Sequence, residues 1–125
     1  MLRGLLLIAV VSEAATGAAL LIVPGLVGRL LFGQELNGLT VIVARLAGFG
    51  LFSLGLACRP SREATPTQAF AMVIYNLFAA IYLVYLGIQG QWIGVLLWPA
   101  AFLHVVLSIL LAVAWLRENR PDLTR

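Results

Sequence analysis

Four residues in this chain combine reactive side chains with surroundings that disfavour them: Glu13, Arg45, Asn76 and His104, each set in a long apolar stretch. They supply a carboxylate, a guanidinium, an amide and an imidazole. Such a set can hold an oxygen-bearing head group, keep or relay a proton, or tie helices together. Small residues accompany each one at helical spacing. Glu13 shares a stripe with Ala9, Thr16 and Gly17, and Arg45 with Gly48, Phe52 and Gly55. Asn76 lies with Met72, Ala79 and Ala80, and His104 with Ala100, Ala101 and Ser108. Small side chains let helices approach closely in lipid, so these faces are expected to turn inward. Tyr75 and Tyr82 could add hydroxyls to the same interior.

Composition dictates the elements that must position these groups. Of 125 residues, 62% are hydrophobic and 10% are charged, and the mean hydropathy is +1.05. A soluble domain averages roughly half apolar and a quarter charged. The balance excludes a soluble domain, a disordered chain and a nucleic-acid-binding module. The expected fold class is all-α: an integral membrane bundle of four transmembrane helices, forming a single domain over residues 1–125. A bilayer core about 30 Å thick needs about 20 apolar residues, and such runs lie at 4–23, 37–58, 67–86 and 92–116. Lipid tolerates no unpaired backbone groups, so the runs read as helices and not as strands.

The breaks between runs are legible too. Pro24-Gly25, Arg59-Pro60, Gly87 and the polar stretch from Arg117 to Pro121 end them. Segment 24–36 is mostly apolar, and its Val27, Leu30 and Leu31 recur at i, i+3 and i+4, as in a short interfacial helix. Pro99 is expected to free the Val95 carbonyl and kink the fourth helix just above His104. Arg3 followed by an apolar run and by Ala14-Ala15 imitates a signal peptide. The run continues to residue 23, however, so it reads as an uncleaved first span.

All eight basic residues are arginines, giving a net charge of +3 against five acidic ones. They are not gathered in one stripe, which argues against nucleic acid as a partner. Four spans place both termini and the 59–66 turn on one side. That side carries Arg3, Arg59, Arg62, Arg117, Arg120 and Arg125, while the other loops carry only Arg29. The positive-inside tendency makes both termini cytoplasmic. Tyr85 and Trp92 at the outer boundary and Trp115 at the inner one fit an aromatic belt. On this topology Glu13, Asn76 and His104 lie about 14, 13 and 18 Å from the inner ends of their helices, and Arg45 lies about 12 Å below the outer side. A lone charge at the bilayer centre costs about 3 kcal/mol on insertion scales. Pairing Glu13 with Arg45 lowers that cost, so the two are expected to meet. Cys58 alone excludes an internal disulfide and a cysteine-rich metal site. One imidazole is too few for a metal site, and haem would need a second histidine from a partner protomer. The residues specify no cofactor.

A pocket of Glu13, Arg45, Asn76, His104, Tyr75 and Ser108 walled by aliphatic residues suits a small amphipathic molecule such as a quinone, an isoprenoid or a lipid. The residues do not choose between binding it and turning it over. The same polar groups could instead hold four helices in register within a larger membrane complex. Gly48, Gly50 and Gly55 also offer a face for a homo-oligomer.

Ala44-Arg45-Leu46-Ala47-Gly48 in the second span, Tyr75-Asn76 in the third, and Trp98-Pro99 followed by His104 in the fourth resemble the DoxX-like superfamily of small bacterial membrane proteins. So does Pro24-Gly25 followed by Leu31-Phe32-Gly33. The resemblance implies a four-helix fold in the bacterial inner membrane and, for some members, a quinone-linked redox subunit. A thiol-oxidation role fits poorly with one cysteine. Glu13 within Ser12-Glu13-Ala14-Ala15-Thr16-Gly17 is similar in position to the essential glutamate of the small multidrug exporters, which implies proton-coupled transport as the alternative.

Overall fold

The computed structural model describes residues 1–119 as five helices: α1 (Leu2–Ile22), α2 (Pro24–Phe32), α3 (Leu39–Ala57), α4 (Pro66–Gln89) and α5 (Leu97–Glu118). Arg120, Pro121 and Arg125 lie outside the described residues. All but α2 are long and apolar enough to cross a membrane, and at most 33% of the most apolar stretch of any of them is buried. The usual arrangement of a soluble protein is reversed. Ile8, Val11, Phe49, Phe78 and Phe102 face outward, whereas Glu13 and Asn76 are 1% and 0% exposed. An apolar exterior of this extent is stable only where the surroundings are apolar.

The helices pack as two pairs, α1 with α3 and α4 with α5, and α1 bridges the pairs by touching both α4 and α5. Glycines make the first seam. A Cβ on Gly17 would stand 2.5 Å from the backbone nitrogen of Phe52 and 2.8 Å from the Gly48 carbonyl oxygen. One on Gly55 would stand 3.0 Å from the Val10 carbonyl oxygen. Backbone-on-backbone contact of this kind replaces the hydrophobic effect as the source of helix association in lipid. Helices α3 and α4 share no comparable interface, and the gap between them shapes the site.

Each end of the bundle is tied by backbone partners. At the terminal end, Thr65 caps α4 in a capping box with Gln68. The Gln68 amide also donates to the Ala57 and Arg59 carbonyls at the end of α3, which would otherwise be orphans. Arg3 donates to the Ser61 carbonyl across the same end. Leu2, Leu6, Met72, Leu107 and Leu111 form the core there, together with Cys58, whose thiol is pushed up by burial.

At the other end, the amphipathic segment forms α2, with Pro24 in its first turn and Gly33 ending it at φ 70°. Its final carbonyls, Leu30 and Leu31, accept from the Leu96 and Gly94 N–H groups at 2.8 and 2.9 Å. Gly94 is pressed against the Leu30 carbonyl, where no Cβ would fit. Two boundaries depart from the sequence reading. Helix α4 continues past residue 86 to Gln89, ended by Gly90 at φ 74°, and α5 begins at Leu97 instead of at 92, because Gly94 and Leu96 are held against α2. Pro99 therefore falls in the first turn of α5, where its missing N–H has no helical partner to lose. It is not the kink within a longer helix that the sequence led us to expect.

Candidate functional site

Glu13, Asn76 and His104 meet in the interior. Glu13 lies on the buried stripe of α1 with Leu6, Ala9 and Gly17. Asn76 lies on that of α4 with Met72 and Ala80. Both stripes follow the small-residue spacing that turns a helix face inward. His104 is half-buried on α5, with Ala101 and Ser108 buried beside it. The His104 Nδ1 is 2.8 Å from the Asn76 Oδ1 and 3.8 Å from the Glu13 Oε1. The Asn76 amide nitrogen donates to the Met72 carbonyl at 2.8 Å. That bond orients the amide so that its oxygen faces the imidazole and accepts from Nδ1–H.

Glu13 is the unusual member. Its side chain is 2% exposed, and its Oε1 has no hydrogen-bond partner. The 3.8 Å to His104 is too long for a hydrogen bond. The Tyr75 ring meets the His104 ring edge-on, with centroids 6.0 Å apart. A buried carboxyl with one unsatisfied oxygen costs stability, and such groups concentrate where chemistry requires them.

A cavity of about 550 Å³ opens above this cluster, bounded by Ala44, Ala47 and Leu51 of α3 and by Tyr75, Phe78, Ala79, Tyr82 and Leu83 of α4. Val27, Leu31 and Phe32 of α2 line it at one end, and Tyr75 and His104 are also part of its lining. It occupies the gap between α3 and α4, and its size suits a small ligand. A neighbouring cavity of about 360 Å³ among α1, α2 and α5 shares Thr16, Val27, Leu31 and Ala100 with it.

The structure does not bring Arg45 into this cluster. Arg45 is exposed on α3 and forms no ion pair among the described residues. The expected Glu13–Arg45 pair is therefore absent. Its neighbour Ala44 is buried at 8% and lines the cavity. One residue turns a helix by about 100°, which carries Arg45 off that face. Ser108 is also elsewhere: its hydroxyl donates to the His104 carbonyl at 2.7 Å, and it lines a separate cavity with Leu77 and Val105. Tyr82 sits at the exposed mouth, stacked on Tyr85. The sequence reading missed Thr16 as a cavity residue, along with the aliphatic walls from α2 and α3. The i, i+4 pair Val27 and Leu31 was the available signal for the α2 wall.

Among the described residues, no three His, Cys, Asp or Glu side chains gather as metal ligands. The polar set is one carboxyl, one imidazole, one amide and one phenol, suited to holding hydrogen bonds and protons at the edge of an apolar chamber. No protein-family model matches the chain, and no curated protein or solved structure is significantly similar to it.

Proposed function

We propose that the chain is a multi-pass protein of a bacterial inner membrane, of the DoxX-like kind, whose interior cavity binds a small amphipathic molecule such as a quinone or a lipid. Its apolar body lies between α3 and α4, and its polar head meets Tyr75 and His104, backed by Glu13 and Asn76. The observation that carries this reading is the cavity of about 550 Å³, lined by both Tyr75 and His104, set beside a buried carboxyl with an unpartnered oxygen. A bundle held only by polar glue would close that space. The excess of arginines at the terminal end supports cytoplasmic termini. A redox-linked subunit is one role such a site could serve.

Organic extraction and mass spectrometry of the purified protein test the proposal. A lipophile that co-purifies with the wild type and is lost in Ala47→Trp, which fills the cavity, is the expected result. Identical extracts from both proteins would overturn it.

Proton-coupled export is the second reading, and one observation favours it: Glu13 is not neutralised by Arg45 and keeps a free oxygen. Uptake of a lipophilic cation into proteoliposomes, driven by a pH gradient and lost in Glu13→Gln, would establish export in place of simple binding.

A further inference from the structure

The donors and acceptors around the cavity narrow the class of ligand, and this step rests on the binding reading above. The Asn76 amide gives its nitrogen to the Met72 carbonyl, so its oxygen must accept from His104 Nδ1–H. A neutral imidazole bonded in this way carries its lone pair on Nε2. Glu13 Oε1 stands 3.8 Å from Nδ1, beyond hydrogen-bonding distance, and does not compete with Asn76 for that proton. His104 Nε2 is absent from the buried atoms that lack a partner and forms no hydrogen bond of its own, so it is accessible on the cavity wall. The Thr16 hydroxyl spends its proton on the Ser12 carbonyl at 2.9 Å. The Tyr75 and Tyr82 hydroxyls of the lining can each donate or accept, and Tyr82 stands at the exposed mouth. The groups that the hydrogen bonds around them fix as acceptors are the imidazole nitrogen and the Thr16 hydroxyl oxygen.

We infer that the cavity favours a lipophile whose head donates a hydrogen bond to His104 Nε2 through a hydroxyl group, a phenol, a quinol or a long-chain alcohol, over the matching ether. Asn76 is the positioning residue: it acts through His104 by holding the ring in the tautomer that accepts. A lipophilic ammonium is disfavoured because Glu13 does not line the cavity and cannot meet a cation there directly.

The chain has one histidine, so nitrogen-15 labelling of histidine reports on this ring alone. In detergent-solubilised wild type, the expected spectrum is that of a neutral ring protonated at Nδ1. Adding para-octylphenol shifts the Nε2 resonance, and the phenol binds about tenfold tighter than para-octylanisole, the worth of one hydrogen bond. Asn76→Leu is expected to mix the tautomers and erase that preference. Equal binding of phenol and ether, with both lost in Ala47→Trp, would overturn the donor rule while leaving the cavity reading intact. Binding of neither, or binding indifferent to Ala47→Trp, would sink the cavity reading itself. Tighter binding of octylammonium than of the phenol would overturn the inference in favour of a cation site. An Nε2-protonated ring in the ligand-free wild type would overturn it without any variant.

Discussion

Helix α3 has two inward sides that could hardly differ more. Toward α1 it presents Gly48 and Gly55, and the two backbones meet with no room for a methyl group. Toward α4 it presents Ala44, Ala47 and Leu51 across an open chamber. Adjacent residues, Ala47 and Gly48, thus belong to opposite regimes of packing. In lipid, helices gain little from hiding apolar surface from one another, so close contact must supply the association energy. The glycine seam supplies it for α3 on one side, which leaves the other side free to stay apart. A chamber can persist because the helix bounding it is anchored elsewhere.

The sharpest way to break that contrast is to lengthen each neighbour in turn. Gly48→Leu should be the most damaging single change, costing at least about 3 kcal/mol. Its Cβ alone would stand 2.8 Å from the Gly17 carbonyl oxygen and 3.0 Å from the Leu20 Cβ. Ala47→Leu adds nearly as much bulk, three carbons against four, to the chamber side and should cost less than about 1 kcal/mol. Reversible unfolding in mixed micelles measures both. Equal losses would mean that α3 is packed as tightly toward α4 as toward α1.

A second contrast runs along α1, where Gly17 and Glu13 stand one turn apart on one stripe. Gly17→Ala should destabilise by about 2 kcal/mol, since the atoms it meets are backbone and cannot yield cheaply. Glu13→Gln should stabilise by about 1 kcal/mol. It removes a buried acidic group with an unsatisfied oxygen and supplies an N–H that can find an acceptor. The same variant should weaken binding of para-octylphenol. Stability gained together with affinity lost is the signature of a residue kept for its site. A clear loss of stability would instead place Glu13 among the interhelical glue.

These pairs also show what could be read from the amino acids. The apolar runs, the short helix after Pro24 and the stripes carrying Glu13, Asn76 and His104 are all periodic features, and periodicity survives folding. The start of α5 is not periodic. It depends on Gly94 and Leu96 bonding to the carbonyls of α2, a tertiary contact that overrides the apolar pattern beginning at Trp92. The chamber was illegible for a related reason. A void is the distance between helices, and Ala44, Ala47 and Leu51 look the same in sequence whether they touch a neighbour or face a gap.

Arg45 gives the smallest predicted effect and the most instructive one. From its stripe with Gly48 and Gly55 it should face inward, and a charge in an apolar run should seek a counterion. The stripe is wide, however, and the seam takes its glycine side: Gly48 and Gly55 are buried while Arg45 is exposed. Its Cα stands about 9 Å from the start of α3, six residues at the helical rise. A long guanidinium stem spans much of that distance by running along the helix toward the polar boundary, which lowers the cost of the charge without a protein partner. Arg45→Leu should therefore change the unfolding free energy by no more than about 0.5 kcal/mol and leave phenol binding untouched. A loss above about 1 kcal/mol, or a change in affinity, would mean that the guanidinium reaches a partner within the bundle. The division of α3 into an anchoring side, a chamber side and an idle lipid side would then have to be redrawn.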